Sequence, residues 1–262
     1  MRISYYIADP TGNITLLIET PVERSDYALT AQKLMALESR AEQAGFIGSD
    51  ENGFFLNMAG GEFCGNATMS AAAVFALTQG IEPGEKADIT LNVSGAEKPV
   101  KVTVSANKNG SFSGEVEMPS PKNITDREFC FEGKKYTLPV VEFEGISHII
   151  AEGAFNGKAA EKVIVEWCGF LDCPCLGIMF ADFEKSTLSP LVYARDADTL
   201  FWESSCASGT TAAGIYLSQK KGEDIDIALT QPGGDLRVKV NKNSRPLLCG
   251  SVIVEKRETV EL

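Results

Sequence analysis

The sequence predicts an α+β protein made of two similar halves, and three observations lead to this prediction. Stretches rich in β-branched and aromatic residues predict many short strands, whereas only a few stretches have helical spacing. The order of these stretches lacks the regular strand–helix alternation of a parallel α/β protein. In addition, one short cysteine-containing motif occurs twice, each time at the start of a predicted long helix.

The predicted elements extend over the whole chain. Alternating or continuous apolar runs bounded by turn residues predict strands over 2–8, 14–19, 54–58, 89–93, 100–105, 113–118, 137–142, 147–151, 175–182, 191–193, 226–230, 236–240 and 247–255. Good helix formers at helical spacing predict helices over 27–44, 66–79, 159–169 and 208–219. The predicted strands therefore outnumber the predicted helices over the chain as a whole.

Composition limits the classes of function that fit this chain. Of its 262 residues, 44% are hydrophobic and 23% are charged, which is the balance of a soluble globular protein. No apolar run is long enough to span a membrane, and the first residues lack a secretory signal, so we expect a cytoplasmic protein without membrane partners. The net charge of −12 disfavours nucleic acid as a partner. A small-molecule substrate fits better, and a homodimer remains an open alternative.

The repeated motif divides the chain into two parts. Residues 63–71 align with residues 205–213, and in both copies a Thr follows the Cys by four positions and an Ala by seven. We therefore predict an N-terminal half over 1–125 that carries Cys64 and a C-terminal half over 126–262 that carries Cys206. The predicted boundary follows a turn-forming stretch at 119–123.

Two cysteines at two helix starts indicate acid–base chemistry. The free N–H groups at a helix start attract a carboxylate and favour a thiolate over a thiol. Small residues such as Gly65 and Ala207 let a ligand approach the backbone. Racemisation needs a base on one face of the α-carbon and an acid on the other, which two thiols supply without a cofactor. A single Cys at such a position is more often structural, and a redox or thiol-transfer role competes with catalysis.

The residues around both cysteines resemble a known superfamily. Residues 61–68 and 203–210 are similar to the two cysteine motifs of diaminopimelate epimerases and proline racemases. Residues 10–13 resemble that superfamily's early Gly-Asn turn, whose Asn contacts substrate, and residues 231–234 resemble its late Gly-Gly turn. The resemblance implies two pseudo-symmetric halves, each a barrel-like mixed sheet around a central helix, with Cys64 and Cys206 in the cleft between them.

Within the superfamily, the sequence is most similar to cofactor-independent histidine racemases, including those of staphylopine-type pathways. Residues 42–47 and the Trp202-Glu203 pair carry this likeness. Ala67 and Thr68 stand where diaminopimelate epimerases have Gly and Ala before an Arg, and their Glu-Arg-Gly motif has no counterpart before Cys206. Both departures make diaminopimelate a less suitable substrate than histidine.

The resemblance also indicates which residues bind substrate. Glu42 is predicted to accept a hydrogen bond from the imidazole N–H of histidine, although it fits a solvated Glu near a helix end as well. Glu203 is predicted to meet the substrate ammonium. The complete set of predicted substrate-binding residues is Asn13, Glu42, Gly65, Asn66, Glu203, Ala207 and Ser208.

Other residue types that often carry chemistry are interpreted as structural. His148 is the only histidine, so it cannot form a multi-histidine metal site. Cys173 and Cys175 lack a second cysteine pair at zinc-site spacing. No motif calls for pyridoxal phosphate, so we predict neither a cofactor nor a metal.

Two alternatives to histidine racemisation remain at this stage. The first is another amino-acid substrate, with diaminopimelate epimerisation as the main example. The second is a non-enzymatic protein, either a thiol-based redox sensor or an amino-acid binding protein. A disulfide between Cys64 and Cys206 does not distinguish them, since facing catalytic thiols also oxidise.

Overall fold

The structure, a computed structural model, describes residues 1–153, 157–195 and 198–262. Sixteen strands lie in these ranges: β1 (Arg2–Asp9), β2 (Thr15–Ile18), β3 (Gln43–Asp50), β4 (Gly53–Met58), β5 (Lys86–Val93), β6 (Val100–Ala106), β7 (Phe112–Glu117), β8 (Asn123–Phe131), β9 (Lys134–Glu142), β10 (Ser147–Ile150), β11 (Cys175–Asp182), β12 (Thr187–Ala194), β13 (Thr199–Trp202), β14 (Ile225–Gln231), β15 (Gly234–Val240) and β16 (Leu247–Glu261).

Five α-helices accompany the strands within the described residues. They are α1 (Tyr27–Leu37), α2 (Gly65–Thr78), α3 (Gly157–Ala160), α4 (Ile164–Leu171) and α5 (Ala207–Lys221). The predicted α+β class is confirmed, because strands dominate and parallel and antiparallel pairs are mixed. In the part of the chain that the structure describes, no helix has the length and apolar character needed to cross a membrane.

The chain divides into two compact units. The first comprises Met1–Met118 and Leu248–Leu262, and the second comprises Pro119–Leu247. This division differs from the predicted division at 125, because the C-terminal segment Leu248–Leu262 belongs to the first unit. The returning strand β16 pairs antiparallel with β1 from Arg2–Glu261 to Asp9–Ile253, a register that local sequence gives no means to predict.

The sheet of the first unit closes around a central helix. Its strands follow the order β1-β2-β3-β4-β5-β6-β7-β16, and β16 also pairs with β1. Helix α2 packs against six of these strands. Its residues from Gly65 to Ala76 are all buried, and many are alanines. A helix that is apolar and small on every face is suited to this position, because sheet can approach it from all sides.

The second unit has its own sheet and its own buried helix. The strand order is β8-β9-β10-β11-β12-β14-β15, with β13 paired to β12. Helix α5 packs against β15, β14, β10, β11 and β9. Gly214 permits this packing, since a Cβ there would lie 2.5 Å from a Val238 methyl group. A left-handed Gly222 ends the helix, as is common at helix C-termini.

Two predicted helices differ from the structure. The helix predicted over 27–44 ends at Leu37, and the next strand begins at Gln43. From Gln43 onwards, the backbone makes hydrogen bonds to β2 in a parallel pair instead of hydrogen bonds within a helix. The helix predicted over 159–169 is divided into α3 and α4. Strands β3, β8 and β13 were not predicted, because their sequences are partly polar or lie inside the overlong helix prediction.

Candidate active site

Cys64 lies at the N-cap of α2 in an extended conformation, with φ −128° and ψ 114°. Its sulfur accepts a hydrogen bond from the Ala67 N–H at 3.4 Å. The Thr68 hydroxyl donates to the Cys64 carbonyl at 2.6 Å, which fixes the first turn. The Thr that follows each cysteine by four positions therefore has a local structural role. The predicted substrate-binding residues Gly65 and Asn66 begin the helix and are buried.

A network of amides holds the Cys64 thiol. Cys64 donates from Sγ to Gln43 Oε1 at 3.0 Å. The same amide donates from Nε2 to Asn13 Oδ1 at 2.6 Å and to Thr15 Oγ1 at 2.8 Å. These two bonds fix which end of the Gln43 amide faces the sulfur. Gln43 was not among the predicted site residues, and its position beside Glu42 is the only signal for it in the sequence.

Asn13 connects the early turn to Glu42. Its amide Nδ2 donates to Glu42 Oε2 at 2.5 Å, and Asn66 Nδ2 donates to Asn13 Oδ1 at 3.3 Å. Glu42 lies in the segment before β3, where its N–H donates to the Ile14 carbonyl at 2.9 Å. Glu42 is exposed, so its interpretation as a solvated residue stays open beside the prediction that it binds substrate. Four predicted site residues of the first unit, including Cys64, are thus brought into one region.

Cys206 occupies the same position at the start of α5. Its φ is −122° and its ψ is 108°, and its sulfur accepts from the Gly209 N–H at 3.4 Å. The Thr210 hydroxyl donates to the Cys206 carbonyl at 2.7 Å. A Cβ at Gly209 would lie 2.1 Å from the Met179 sulfur, so a larger residue there would displace the Met179 side chain.

The surroundings of the Cys206 thiol are buried and acidic. Only 5% of Cys206 is exposed. Burial is the first cause that raises its pKa well above the ordinary value, and the nearby Glu203 carboxylate, which accepts a hydrogen bond from the thiol, raises it further. The Gly209 N–H and the Ser208 hydroxyl act in the opposite direction. Glu203 therefore contacts the thiol, a role that sequence analysis did not assign to it.

Ser208 links Cys206 to the single histidine. Its hydroxyl lies 3.7 Å from the Cys206 sulfur and 2.9 Å from His148 Nε2. His148 is fully buried on β10, and burial lowers its pKa to about 3, so the ring is neutral near pH 7. A Cβ at Gly177 would lie 2.3 Å from His148 Nδ1. The interpretation of His148 as a core residue therefore misses its contact with a predicted site residue.

The late Gly-Gly turn also supports Cys206. The Gln231 side chain accepts from the Cys206 N–H at 2.9 Å and donates to the Thr210 hydroxyl at 2.9 Å. Gly233 N–H donates to the Ser204 carbonyl at 2.7 Å. Gln231 was predicted only as part of a turn. Its buried amide instead connects strand β14 to the start of α5.

The remaining cysteines suggest no metal centre. Cys168 and Cys173 are buried, with their sulfurs 3.9 Å apart. Burial, reinforced by Cys168, raises the pKa of Cys173 to about 12, so its thiol is protonated near neutral pH. Among residues 1–153, 157–195 and 198–262, no group of three or more His, Cys, Asp or Glu side chains is arranged to hold a metal ion.

Comparison with known proteins identifies the family. A family model described as the histidine racemase CntK N-terminal domain matches residues 2–252. A histidine racemase of Fusobacterium nucleatum (strain ATCC 23726) is 33% identical over 234 residues, which cover 86% of this chain and 85% of that protein. A histidine racemase of Staphylococcus aureus (strain Mu50) is 28% identical over 250 residues, covering 88% and 85%.

The fold has relatives that act on other amino acids. A crystal structure of a hydroxyproline epimerase from Agrobacterium vitis superposes with a TM-score of 0.72 at 12% identity, covering 100% of this chain and 93% of that one. At this identity the likeness concerns the fold alone. The sequence matches are more specific, and they confirm the predicted likeness to histidine racemases and an isomerase. This chain belongs to the histidine racemase family.

Proposed function

We propose that this protein interconverts L- and D-histidine, with Cys64 and Cys206 as its acid–base pair. The observation that carries the proposal is the matched geometry of two cysteines. Each caps a buried helix from an extended conformation, and each sulfur accepts an N–H bond from three residues ahead. In a chain of the histidine racemase family, this repetition suits two thiols with the same chemical task.

The proposed reaction balances with these two groups alone. The thiolate of one cysteine removes the proton from the α-carbon, so a C–H bond breaks and an S–H bond forms. The thiol of the other cysteine then gives its proton to the opposite face of the same carbon and becomes the thiolate. After each turnover the two cysteines have exchanged protonation states, and the reverse reaction starts from that state.

We assign the substrate carboxylate to the helix starts. The first backbone N–H groups of α2 and α5 lack intrahelical acceptors, and the helix dipole adds a partial positive charge. These positions are occupied by Gly65 and Asn66 in α2, and by Ala207 and Ser208 in α5. The same N–H groups stabilise the negative charge that develops on the carboxylate as the proton leaves.

The side-chain preference for histidine is assigned to Glu42. A carboxylate accepts a hydrogen bond from an imidazole N–H and attracts the imidazolium form. The Asn13 amide donates to Glu42 Oε2 and so holds this carboxylate in place. Glu203 is proposed to bind the substrate ammonium while it contacts the Cys206 thiol.

We further propose that the two units are pseudo-symmetric halves, each a barrel-like sheet around its cysteine-bearing helix. The buried positions of α2 and α5, and the similar backbone angles at both cysteines, support this proposal. It is tested by superposing the two units in an experimental structure. Coincident paths for α2 and α5 with their flanking strands are expected, and unrelated strand orders would contradict it.

Isotope exchange tests the reaction itself. In D2O, wild-type protein should introduce deuterium at the α-carbon of histidine. It should also racemise histidine, and circular dichroism measures this racemisation. Cys64→Ser and Cys206→Ser should each lower racemisation at least ~1,000-fold, within the range for loss of a general acid or base. Cys130→Ser, an exposed cysteine outside the site, is the matched control and should retain activity.

The same assay decides between substrates. Histidine, diaminopimelate and proline are compared at equal concentration, and the highest rate is expected with histidine. A higher rate with diaminopimelate would change the assigned substrate to diaminopimelate, and it would not contradict the cysteine pair. Full activity in either cysteine variant would reject the pair.

A further inference from the structure

The segment that leads into Cys64 is braced by a turn that is distant in sequence. Residues 59–63 connect β4 to α2, so their position determines where the Cys64 sulfur lies. The turn after β5 begins with Ser94 and Gly95, and both contact this segment. Nothing in the motifs around the cysteines points to these two residues.

Ser94 joins the two ends of the segment through one hydroxyl group. The Met58 N–H donates to Ser94 Oγ at 2.9 Å, and this hydroxyl donates to the Glu62 carbonyl at 2.8 Å. The Ser94 N–H also donates to the Leu56 carbonyl at 2.9 Å. Through these three bonds, Ser94 fixes the distance from the end of β4 to a residue two positions before Cys64.

Gly95 packs against the backbone of the same segment. A Cβ at this position would lie 2.3 Å from the Phe63 nitrogen and 2.7 Å from the Glu62 carbonyl carbon. These are backbone atoms, so they cannot move aside as the end of a flexible side chain can. An ordinary contact is 3.4–4 Å, so any side chain at 95 displaces Phe63 by about 1 Å. Phe63 precedes Cys64 directly, and the displacement passes to the sulfur.

We infer that Ser94 and Gly95 are positioning residues that hold the Cys64 thiol in its reactive place. The inference rests on the proposed function, because it concerns the same cysteine. A misplacement of about 1 Å at a reacting group is enough to lower a rate about 100-fold. The two residues act through Glu62 and Phe63 and do not need to touch the substrate.

Gly95→Ala tests the inference against a matched glycine. Gly95 has φ +72° and Gly110 has φ +85°, so alanine is strained at both positions, but Gly110 has no atom within 4 Å of an added Cβ. We expect Gly95→Ala to lower kcat for histidine 10- to 100-fold, with KM changed less than about 3-fold. Gly110→Ala should retain kcat within about 2-fold. Both variants should keep the circular dichroism of the folded wild type.

Ser94→Ala is the second, independent test. It removes the hydroxyl that bridges Met58 and Glu62, and we expect kcat to fall about 10-fold with little change in KM. Ser113→Ala is its control, because the Ser113 hydroxyl is also hydrogen-bonded but lies on the surface. If Gly95→Ala does not fold, Ser94→Ala decides the outcome.

A labelling experiment separates this inference from the proposed function. Iodoacetamide labelling of each cysteine is followed by peptide mass spectrometry, and Cys249 of the same unit serves as internal reference. Gly95→Ala and Ser94→Ala should change the rate at Cys64 more than 3-fold and leave Cys249 unchanged. If the labelling rate at Cys64 changes in this way but the wild-type protein has no racemase activity, only the proposed function is rejected. Folded variants with wild-type kcat and wild-type Cys64 labelling would overturn the inference.

Discussion

The two cysteine helix starts have nearly the same backbone but different side-chain surroundings. The N–H···S bonds are 3.4 Å in both, and the Thr hydroxyl bonds to the cysteine carbonyls are 2.6 and 2.7 Å. At Cys64 the thiol donates to the neutral amide of Gln43. At Cys206 the thiol is buried and contacts the carboxylate of Glu203. The backbone places each sulfur, and the side chains around it set its proton affinity.

This difference has a consequence for a reversible racemase. The proposed cycle needs each cysteine to serve as acid in one direction and as base in the other. A carboxylate at one thiol and an amide at the other give the two cysteines unequal tendencies to hold a proton. The substrate carboxylate and ammonium then decide which protonation state is reached in the complex. Two predictions test whether this asymmetry matters, and a third concerns the buried His148 beside Ser208.

The largest effect is expected from Glu203→Gln. Without the carboxylate, the pKa of Cys206 falls, because one of the causes that raise it is removed. At a given pH more of Cys206 is then thiolate. Ultraviolet absorbance measures this thiolate in a Cys64→Ser background, with and without Glu203→Gln. We expect kcat to fall about 100-fold, as for loss of a group that assists proton transfer.

Glu184→Gln is the control for this change, because it removes the same charge from an exposed position of the second unit. It should leave both kcat and the thiolate absorbance unchanged. An unchanged titration of Cys206 in Glu203→Gln would remove the electrostatic basis of the comparison.

A smaller effect is expected from Gln43→Met. Methionine has a similar length, but its thioether is a weak acceptor for the Cys64 thiol. We expect kcat to fall about 10-fold, since a neutral partner is lost and no charge changes. Gln32→Met on the exposed face of α1 is the control, measured in the same racemisation assay. A loss as large as that of Glu203→Gln would mean that the two surroundings are functionally equivalent.

The smallest effect on activity is expected at His148, where stability is the better measurement. Its pKa is about 3 in the folded protein and near 6.5 when unfolded, so the unfolded state binds more protons between these values. Its stabilising contribution is complete above pH 6.5 and is lost as the pH falls towards 3. Between pH 7 and pH 5 this costs about 2 kcal/mol of unfolding free energy.

Urea unfolding of wild type and His148→Gln at pH 7, 6 and 5 isolates this contribution. Between pH 7 and pH 5, the unfolding free energy of the variant should fall by about 2 kcal/mol less than that of wild type. Equal pH dependence in both proteins would show that His148 takes up its proton without unfolding.

Much of the fold class was predictable because its determinants are local. Helices α2 and α5 begin one residue after their cysteines, one position before the predicted starts at 66 and 208. Most strands were predicted within a few residues, since β-branched and aromatic runs mark them. The helix over 27–44 was wrong in its second half, because the pairing of β3 with β2 depends on residues more than twenty positions apart.

The amino-acid sequence by itself determined the family, the two cysteine positions and the first turn of each helix. The first turn of each helix depends on residues within four positions of each other, where capping bonds and steric size decide the conformation. Tertiary structure alone decided that Gln43 meets Cys64, that His148 meets Ser208 and that the C-terminal strand joins the first unit. Those contacts join segments 21 to 261 positions apart, and their geometry is fixed by strand register and helix packing.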